Sequence, residues 1–365
     1  CRPQTARGRL SLIVERYAHS MGKHAAPAEN THPTEVELER VASLLESLGF
    51  EPLVRPDRLV VGAHAFIASF WVDYNRPMCL VFDTTDRIPT DFEHSTALAR
   101  FTNTWNHDRV GPWASYRLAE SGDVRVNMRR GIHIKHGLSE EQLAAELVDC
   151  FEHAATFYLQ LRERFLDAGL DQPLPPQLMR LQDSDVLLGR HPSLRHLPRD
   201  TDPDVAAVPE LYSAVDDALG PVDVHDLTAA LERLAFSYGV DHDGIIATGV
   251  NGVAFALTID GEPESRYARV TGMWDTSRDA LSDFLPLWLV CNDVNERTCA
   301  TVAYLHEFDG VVHMHAESTF MVAEGATPSQ MAEFVISAMA ACLAAIDHVS
   351  QQVSGQSVVD WPGSP

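Results

Sequence analysis

Positive charge is scarce in this chain: 28 Lys and Arg stand against 52 Asp and Glu, for a net charge of -24. General affinity for nucleic-acid phosphate or for an anionic membrane rests on clustered Lys and Arg, so neither partner is expected. No stretch of about 18 apolar residues occurs, and no membrane span is expected either. The six cysteines are scattered, and Cys79, Cys150, Cys291 and Cys342 sit inside apolar segments. They read as small buried hydrophobes of a reducing compartment. Familiar catalytic signatures are missing too. There is no Gly-x-Ser-x-Gly elbow, no Gly-x-x-x-x-Gly-Lys loop, no Gly-x-Gly-x-x-Gly after a strand and no His-Glu-x-x-His. The expectation is an acidic, cytoplasmic, non-enzymatic protein with no cofactor and no metal.

What the chain does contain is a repeat. Leu98 to Tyr116 returns as Leu287 to Leu305, with Asn103 on Asn292 and Asn106 on Asn295, each copy ending a helix and starting a strand. His64 to Tyr74 aligns without a gap on Asn251 to Gly261, placing Phe66, Phe70 and Val72 over Val253, Leu257 and Ile259. Shared parity puts these on one sheet face. Gly137 to Leu143 matches Gly325 to Met331, where Ser139/Gln142 and Thr327/Gln330 form capping boxes and Pro328 takes the first helical position. Thr34 with Glu37, and Asp223 with Asp226, are expected to start the opening helices.

At 365 residues and 45% hydrophobic content, the chain is long enough for two cores. Each half is expected to run α-β-β-β-α-β-β-α, an α+β unit with an antiparallel sheet packed by helices. The boundaries follow: a flexible arm over 1–33, a first domain over 34–165, a Pro/Asp-rich linker over 166–221, a second domain over 222–350 and a disordered tail over 351–365. One linker helix is expected near Val208 to Leu219. Cys1 in place of Met points to a trimmed or incomplete start.

An Asn-x-x-Asn pair at the end of the middle helix, with a Gly-Leu-Ser-x-Glu-Gln-Leu entry to the last helix, resembles the YbjN domain family. The resemblance is fuller in the first half. The second keeps Cys291-Asn292-Asp293-Val294-Asn295 but has Ala326-Thr327-Pro328 at the Leu-Ser-Glu step. The resemblance implies a fold similar to type III secretion chaperones and a role in regulating sensory transduction, without catalytic residues. Such chaperones bind clients as dimers. By analogy, two fused units would form an internal pseudo-dimer, or the chain a homodimer.

Candidate binding residues follow from chemistry. Asn103, Asn106, Asn292 and Asn295 form either a polar site for a ligand or partner, or helix ends bonded to the next turn. Trp105, Trp113, Trp274 and Trp288 suit a core, whereas Trp71 has parity opposite to Phe70 and Val72 and suits an exposed sheet face. Arg125, Arg129, Arg130, His133, Lys135 and His136 make the one basic patch. It fits an acidic peptide or a phosphate group, or else a solvated strand edge. His313, His315 and Glu317 alternate at a spacing that suits a metal, but the aligned Arg125, Asn127 and Arg129 are not ligands. Asp200 to Asp204 begins like a calcium loop but lacks the central Gly, and is an acidic linker. The expected partner is another protein or peptide. The competing reading is a small molecule held between the two domains and sensed through their orientation.

Overall fold

The computed structural model describes residues 32–63, 65–87, 89–165 and 218–362. The expected arm before residue 32, the linker over 166–217 and nearly all of its expected helix lie outside the described residues. The first unit contains α1 (Leu38–Ser47), β1 (Leu53–Val54), β2 (Leu59–Gly62), β3 (Phe66–Asp73), β4 (Cys79–Asp86), α2 (Ser95–Asp108), β5 (Trp113–Leu118), β6 (Val124–His133) and α3 (Glu140–Phe165). The second contains α4 (Val224–Arg233), β7 (Tyr238–Val240), β8 (Ile246–Val250), β9 (Val253–Asp260), β10 (Tyr267–Asp279), α5 (Phe284–Arg297), β11 (Val302–Phe308), β12 (Val311–Met321) and α6 (Pro328–Ser354).

Each unit is built on a six-stranded antiparallel sheet, ordered β1-β2-β3-β4-β6-β5 in the first and β7-β8-β9-β10-β12-β11 in the second. The α+β class and the tandem organisation are therefore as expected, with one strand more per unit. β1 pairs with β2 through Leu53 and Val54 alone, too few residues to show a two-residue period. In the second unit Tyr238, Gly239 and Val240 form the edge strand β7. Short edge strands of this kind resist pairing with other chains.

Three of the four expected caps form. Ser139/Gln142, Asp223/Asp226 and Thr327/Gln330 exchange the reciprocal bonds of a capping box. Thr34 does not cap α1, which starts from Glu37 without a side-chain cap. Its backbone instead exchanges two 3.0 Å hydrogen bonds with Leu138, tying the start of the unit to the closing helix. Gly220 makes the same exchange with Ala326, so the end of the expected linker already belongs to the second unit.

The aromatic centre of the first unit is Phe151 on α3, stacked at 4.2 Å on Phe50 and packed against Phe70 and Phe82 at 5.9 and 5.6 Å. Rings this close add to the area term, about 2 kcal/mol for each fully buried Phe. The expectation of two separate cores is corrected by the packing, because buried apolar residues of both units form one continuous cluster. Tyr116 and Trp288 join across the boundary with ring centres 4.8 Å apart.

The expected disordered tail is also corrected, for the part described. α6 runs on to Ser354, Val359 is buried, and the Asp360 N–H donates to the Asn251 carbonyl at 2.9 Å. α6 is long and apolar enough to cross a membrane by composition, with mean hydropathy 1.6 over its best window, although no unbroken apolar run exists. It is packed inside the second unit, with 67% of that window buried.

Candidate functional site at the seam between the units

The two middle helices end on the boundary between the units, and both asparagines of each are buried there. Asn103 on α2 reaches the second unit. Its amide nitrogen donates to the Leu305 carbonyl and its oxygen accepts from the Leu305 N–H, both at 2.8 Å. Asn292 on α5 returns the contact, donating to the Tyr116 carbonyl at 2.7 Å and accepting from the Tyr116 N–H at 2.8 Å. Leu305 and Tyr116 lie on β11 and β5, the inner edge strands of the two sheets. A side-chain amide offers the same donor and acceptor as a backbone residue, so each asparagine completes the open edge of the other unit.

The second asparagine of each pair works within its own unit. Asn106 makes the same two bonds with Ala114, and Asn295 with Ala303. The two asparagines of each pair thus divide by position between the other unit's strand and their own. A three-residue spacing keeps both on one helix face, and one grips its own strand while its neighbour grips the other unit's.

The capping glutamines extend this reciprocity. Gln142 Nε2 donates to Gly325 O and Gln330 Nε2 donates to Gly137 O, both at 2.8 Å. The two amides also meet each other at 3.2 Å. In the sequence these residues read as caps only. Their unused amide donors were the available signal, since a cap needs only the side-chain oxygen.

The expected basic patch is not an open surface. Arg129 has 4% exposure, pairs with Asp83 at 2.9 Å, lies 5.9 Å from the Trp71 ring and donates to the Glu296 carbonyl of the second unit. Arg130, on the opposite sheet face, pairs with Glu146 at 2.8 Å and Asp149 at 3.3 Å on α3 and donates to the Tyr267 hydroxyl of the second unit at 2.9 Å. Lys135 reaches Glu333 at 2.6 Å. Trp71 is half-buried against the seam cluster of Cys79, Val81, Cys299 and Ala300. Arg125 stays apart, donating to the Asp86 carbonyl at 3.3 Å within its own unit. The patch sought an acidic partner, and much of it has one within its own chain.

Residues 223–351 match the model of a family described as "Putative bacterial sensory transduction regulator", YbjN. The second unit is a YbjN domain. The match falls on the half whose helix entry departs from the pattern, and the first unit is joined to it by identical sheet order. Among solved structures, the chain is similar to "Crystal structure of YbjN, a putative transcription regulator from E. coli" at 14% identity and a TM-score of 0.32, covering 36% of this chain and 96% of that one. No curated protein matches the chain.

Beside the YbjN domain's β11, an open cleft of about 300 Å³ is lined from both units by Arg100, Asn103, His107, Phe284, His306 and Glu307. His107 and His306 face each other there with ring nitrogens 2.8 Å apart, and Asp108 holds the other His107 nitrogen at 2.6 Å. Arg100 lies 4.2 Å over the Phe284 ring and pairs with Glu307 at 3.0 Å. His315 is pushed down to about 4, by burial first and then by His306 and His107. Glu317 is tied to Arg269 at 2.6 Å and to the Tyr304 hydroxyl at 3.0 Å. The alternating His313, His315 and Glu317 are thus part of an ion-paired sheet face. Among the described residues, no three His, Cys, Asp or Glu side chains converge as metal ligands.

Several buried groups at the boundary hold shifted charges. His133, against Phe334 and Phe320 of the YbjN domain, has no hydrogen-bond partner on either ring nitrogen. Burial, then the Arg130 charge, pushes it down to about 4. Burial raises Glu146 to about 6 and Glu296 to about 7, against the pull of nearby arginines.

Proposed function

We propose that this chain is a non-enzymatic regulator that acts by binding another protein, built as an internal pseudo-dimer of two YbjN-like units. The reciprocal asparagine clasp carries this reading. In a two-fold interface, residue i of one subunit meets j of the other and j meets i. Asn103 with Leu305 and Asn292 with Tyr116 obey that rule within one chain. The surface that would pair two copies is then spent internally, and the chain meets its partner through its outer helices and the edges β1 and β7, which pair with no further strand among the described residues. The YbjN description as a regulator supports the same class of role. Cytoplasmic placement belongs to this proposal.

The test is affinity capture of the tagged full chain from lysate of its own organism, beside an Asn103→Ala/Asn292→Ala variant that loosens the seam. A stoichiometric protein partner held by the parent chain and lost from the variant supports the adaptor. Recovery of the chain alone, over repeated preparations, sinks it.

A second reading is favoured by one observation, the cleft between the units. Its Arg100, His107 and His306, beside the Phe284 ring, suit a small anionic or aromatic molecule whose binding reports on the seam. A compound that raises the Tm of the parent chain but not of Arg100→Ala supports that sensor. A screen without any such shift removes it.

A further inference from the structure

The seam contains a pair of thiols from opposite units. Cys79, on β4 of the first unit, is fully buried, and Cys299, just before β11 of the YbjN domain, is 9% exposed. Both are free. They share one apolar cluster with Val81 and Ala300, flanked by Trp71 and Ala341. Gly131 makes this approach possible. A Cβ there would overlap the Cys299 carbonyl and sit 3.1 Å from the Cys79 sulfur. The Cys299 thiol also donates to the Asp73 carboxylate at 3.7 Å, and Asp73 is the cross-strand neighbour of Cys79.

We propose that Cys79 and Cys299 are a reversible oxidation site, at which a peroxide closes a disulfide that staples the two units together. Asp73 accepts the Cys299 proton, the thiolate attacks one peroxide oxygen, forming an S–O bond as the O–O bond breaks, and Asp73 returns the proton to the departing hydroxide, which leaves as water. The Cys79 thiol then attacks the Cys299 sulfur and displaces the sulfenic oxygen as a second water. Two thiols and one hydrogen peroxide thus give one disulfide and two waters. A dithiol reductant supplies two electrons and two protons for the reverse step. The roles follow from exposure and charge. Cys299 is the less buried of the two residues, with a proton acceptor beside it. Cys79 is held as a neutral thiol by the neighbouring Cys299 and by burial, which suits the resolving partner.

The other described cysteines are placed differently. Cys150 and Cys291 are fully buried on helices, and Cys342 contacts Thr301, Ser318 and the Val270 carbonyl. A cross-link between units stabilises by constraining the unfolded chain, more so for a long loop such as the one from 79 to 299. Oxidation would therefore fix the seam and raise resistance to unfolding without any new non-covalent contact.

The test uses the purified full chain, treated with hydrogen peroxide or with dithiothreitol, then mapped by non-reducing peptide mass spectrometry. The expected result is an intact mass lower by two hydrogens, a peptide pair joining Cys79 to Cys299, a Tm raised by several degrees, and reversal by dithiothreitol. Cys79→Ala and Cys299→Ser should abolish the link, Cys150→Ser should keep it, and Asp73→Asn should slow its formation several-fold. The wild-type peptide map decides the matter even if a variant folds poorly. Oxidation of Cys299 to sulfinate without a link to Cys79, a disulfide through another cysteine, or unreacted thiols under excess peroxide would each overturn the proposal.

Discussion

On the strand that faces the seam, the first unit carries Arg129 paired with Asp83 of β4, while the YbjN domain carries Glu317 at the aligned position, paired with Arg269 of β10. The sign is inverted within a common frame. The contacts between units are asymmetric in charge too: Arg100 meets Glu307 and Lys135 meets Glu333, the cation from the first unit each time. The uncharged contacts show no such bias: Asn103 mirrors Asn292 and Gln142 mirrors Gln330. Backbone-matching amides thus define how the units dock, and charge defines which unit docks on which. In two copies of the first unit, Leu118 and Ala145 would stand where Glu307 and Glu333 stand, so Arg100 and Lys135 would lose their partners, which discourages pairing of two such units.

The comparison is broken most severely by separating the units. In Gly131→Val the added carbons meet the Cys299 carbonyl, with an expected loss of about 3 kcal/mol or more. The control lies on the open side of the YbjN sheet. The nearest atom to a Cβ at Gly249 is 3.9 Å away, so Gly249→Val should stay within about 0.5 kcal/mol, helped by the β preference of Val. Urea unfolding of both variants checks the contrast, and equal losses would mean that the seam is not where the tight packing matters.

The asparagines sharpen it next. Asn103→Ala leaves the N–H and C=O of Leu305 buried without partners, and Asn106→Ala does the same to Ala114. Each should cost about 2–4 kcal/mol. Calorimetry distinguishes them. Loss of the cross-unit bond should split one transition into two, whereas loss of the local bond should lower one transition without uncoupling the units.

His133 supplies a pH test. Its folded-state value lies near 4, below the ordinary 6.5 of the unfolded chain, so the unfolded state binds more protons between these values. Stability should be lost as pH falls from about 6.5 towards 4, by roughly 2–3 kcal/mol from this group. His133→Leu should flatten that acid limb. Glu146 and Glu296 work in the opposite sense. Their folded values of about 6 and about 7 exceed the usual 4.5, so their contribution is full below 4.5 and is lost as pH rises through 6 to 7. Chemical unfolding from pH 4 to 8 on parent and variant resolves both limbs.

The legible part of this molecule was whatever repeats along the chain. Asn103 over Asn292 and Phe66 over Val253 gave the tandem, and Ser139/Gln142 gave the helix entry, because periodicity and caps are local properties. The seam was not legible, for a physical reason. Arg129, Arg130 and Lys135 carry the same side chains whether they face water or Glu296, Tyr267 and Glu333, and only the docking of two distant segments decides which. Trp71 showed its parity but not its cover. Cys299 gave no sign of Cys79, since their proximity depends on Gly131 and on the approach of two separate sheets.

The smallest expected effect bears most directly on the inverted charges. Lys135 is 44% exposed at its side chain and Glu333 11%, so their 2.6 Å pair should contribute only about 0.5–1 kcal/mol. Lys135→Glu should nevertheless weaken the seam, because a carboxylate is placed against a half-hidden carboxylate. Glu333→Lys should do the same with the signs exchanged. The double exchange restores an opposite-charge pair at the same place, and a double-mutant cycle should return a favourable coupling that fades in high salt. Zero coupling would mean that the first unit's positive charge is incidental, and that the reciprocal amides alone hold the two units in register.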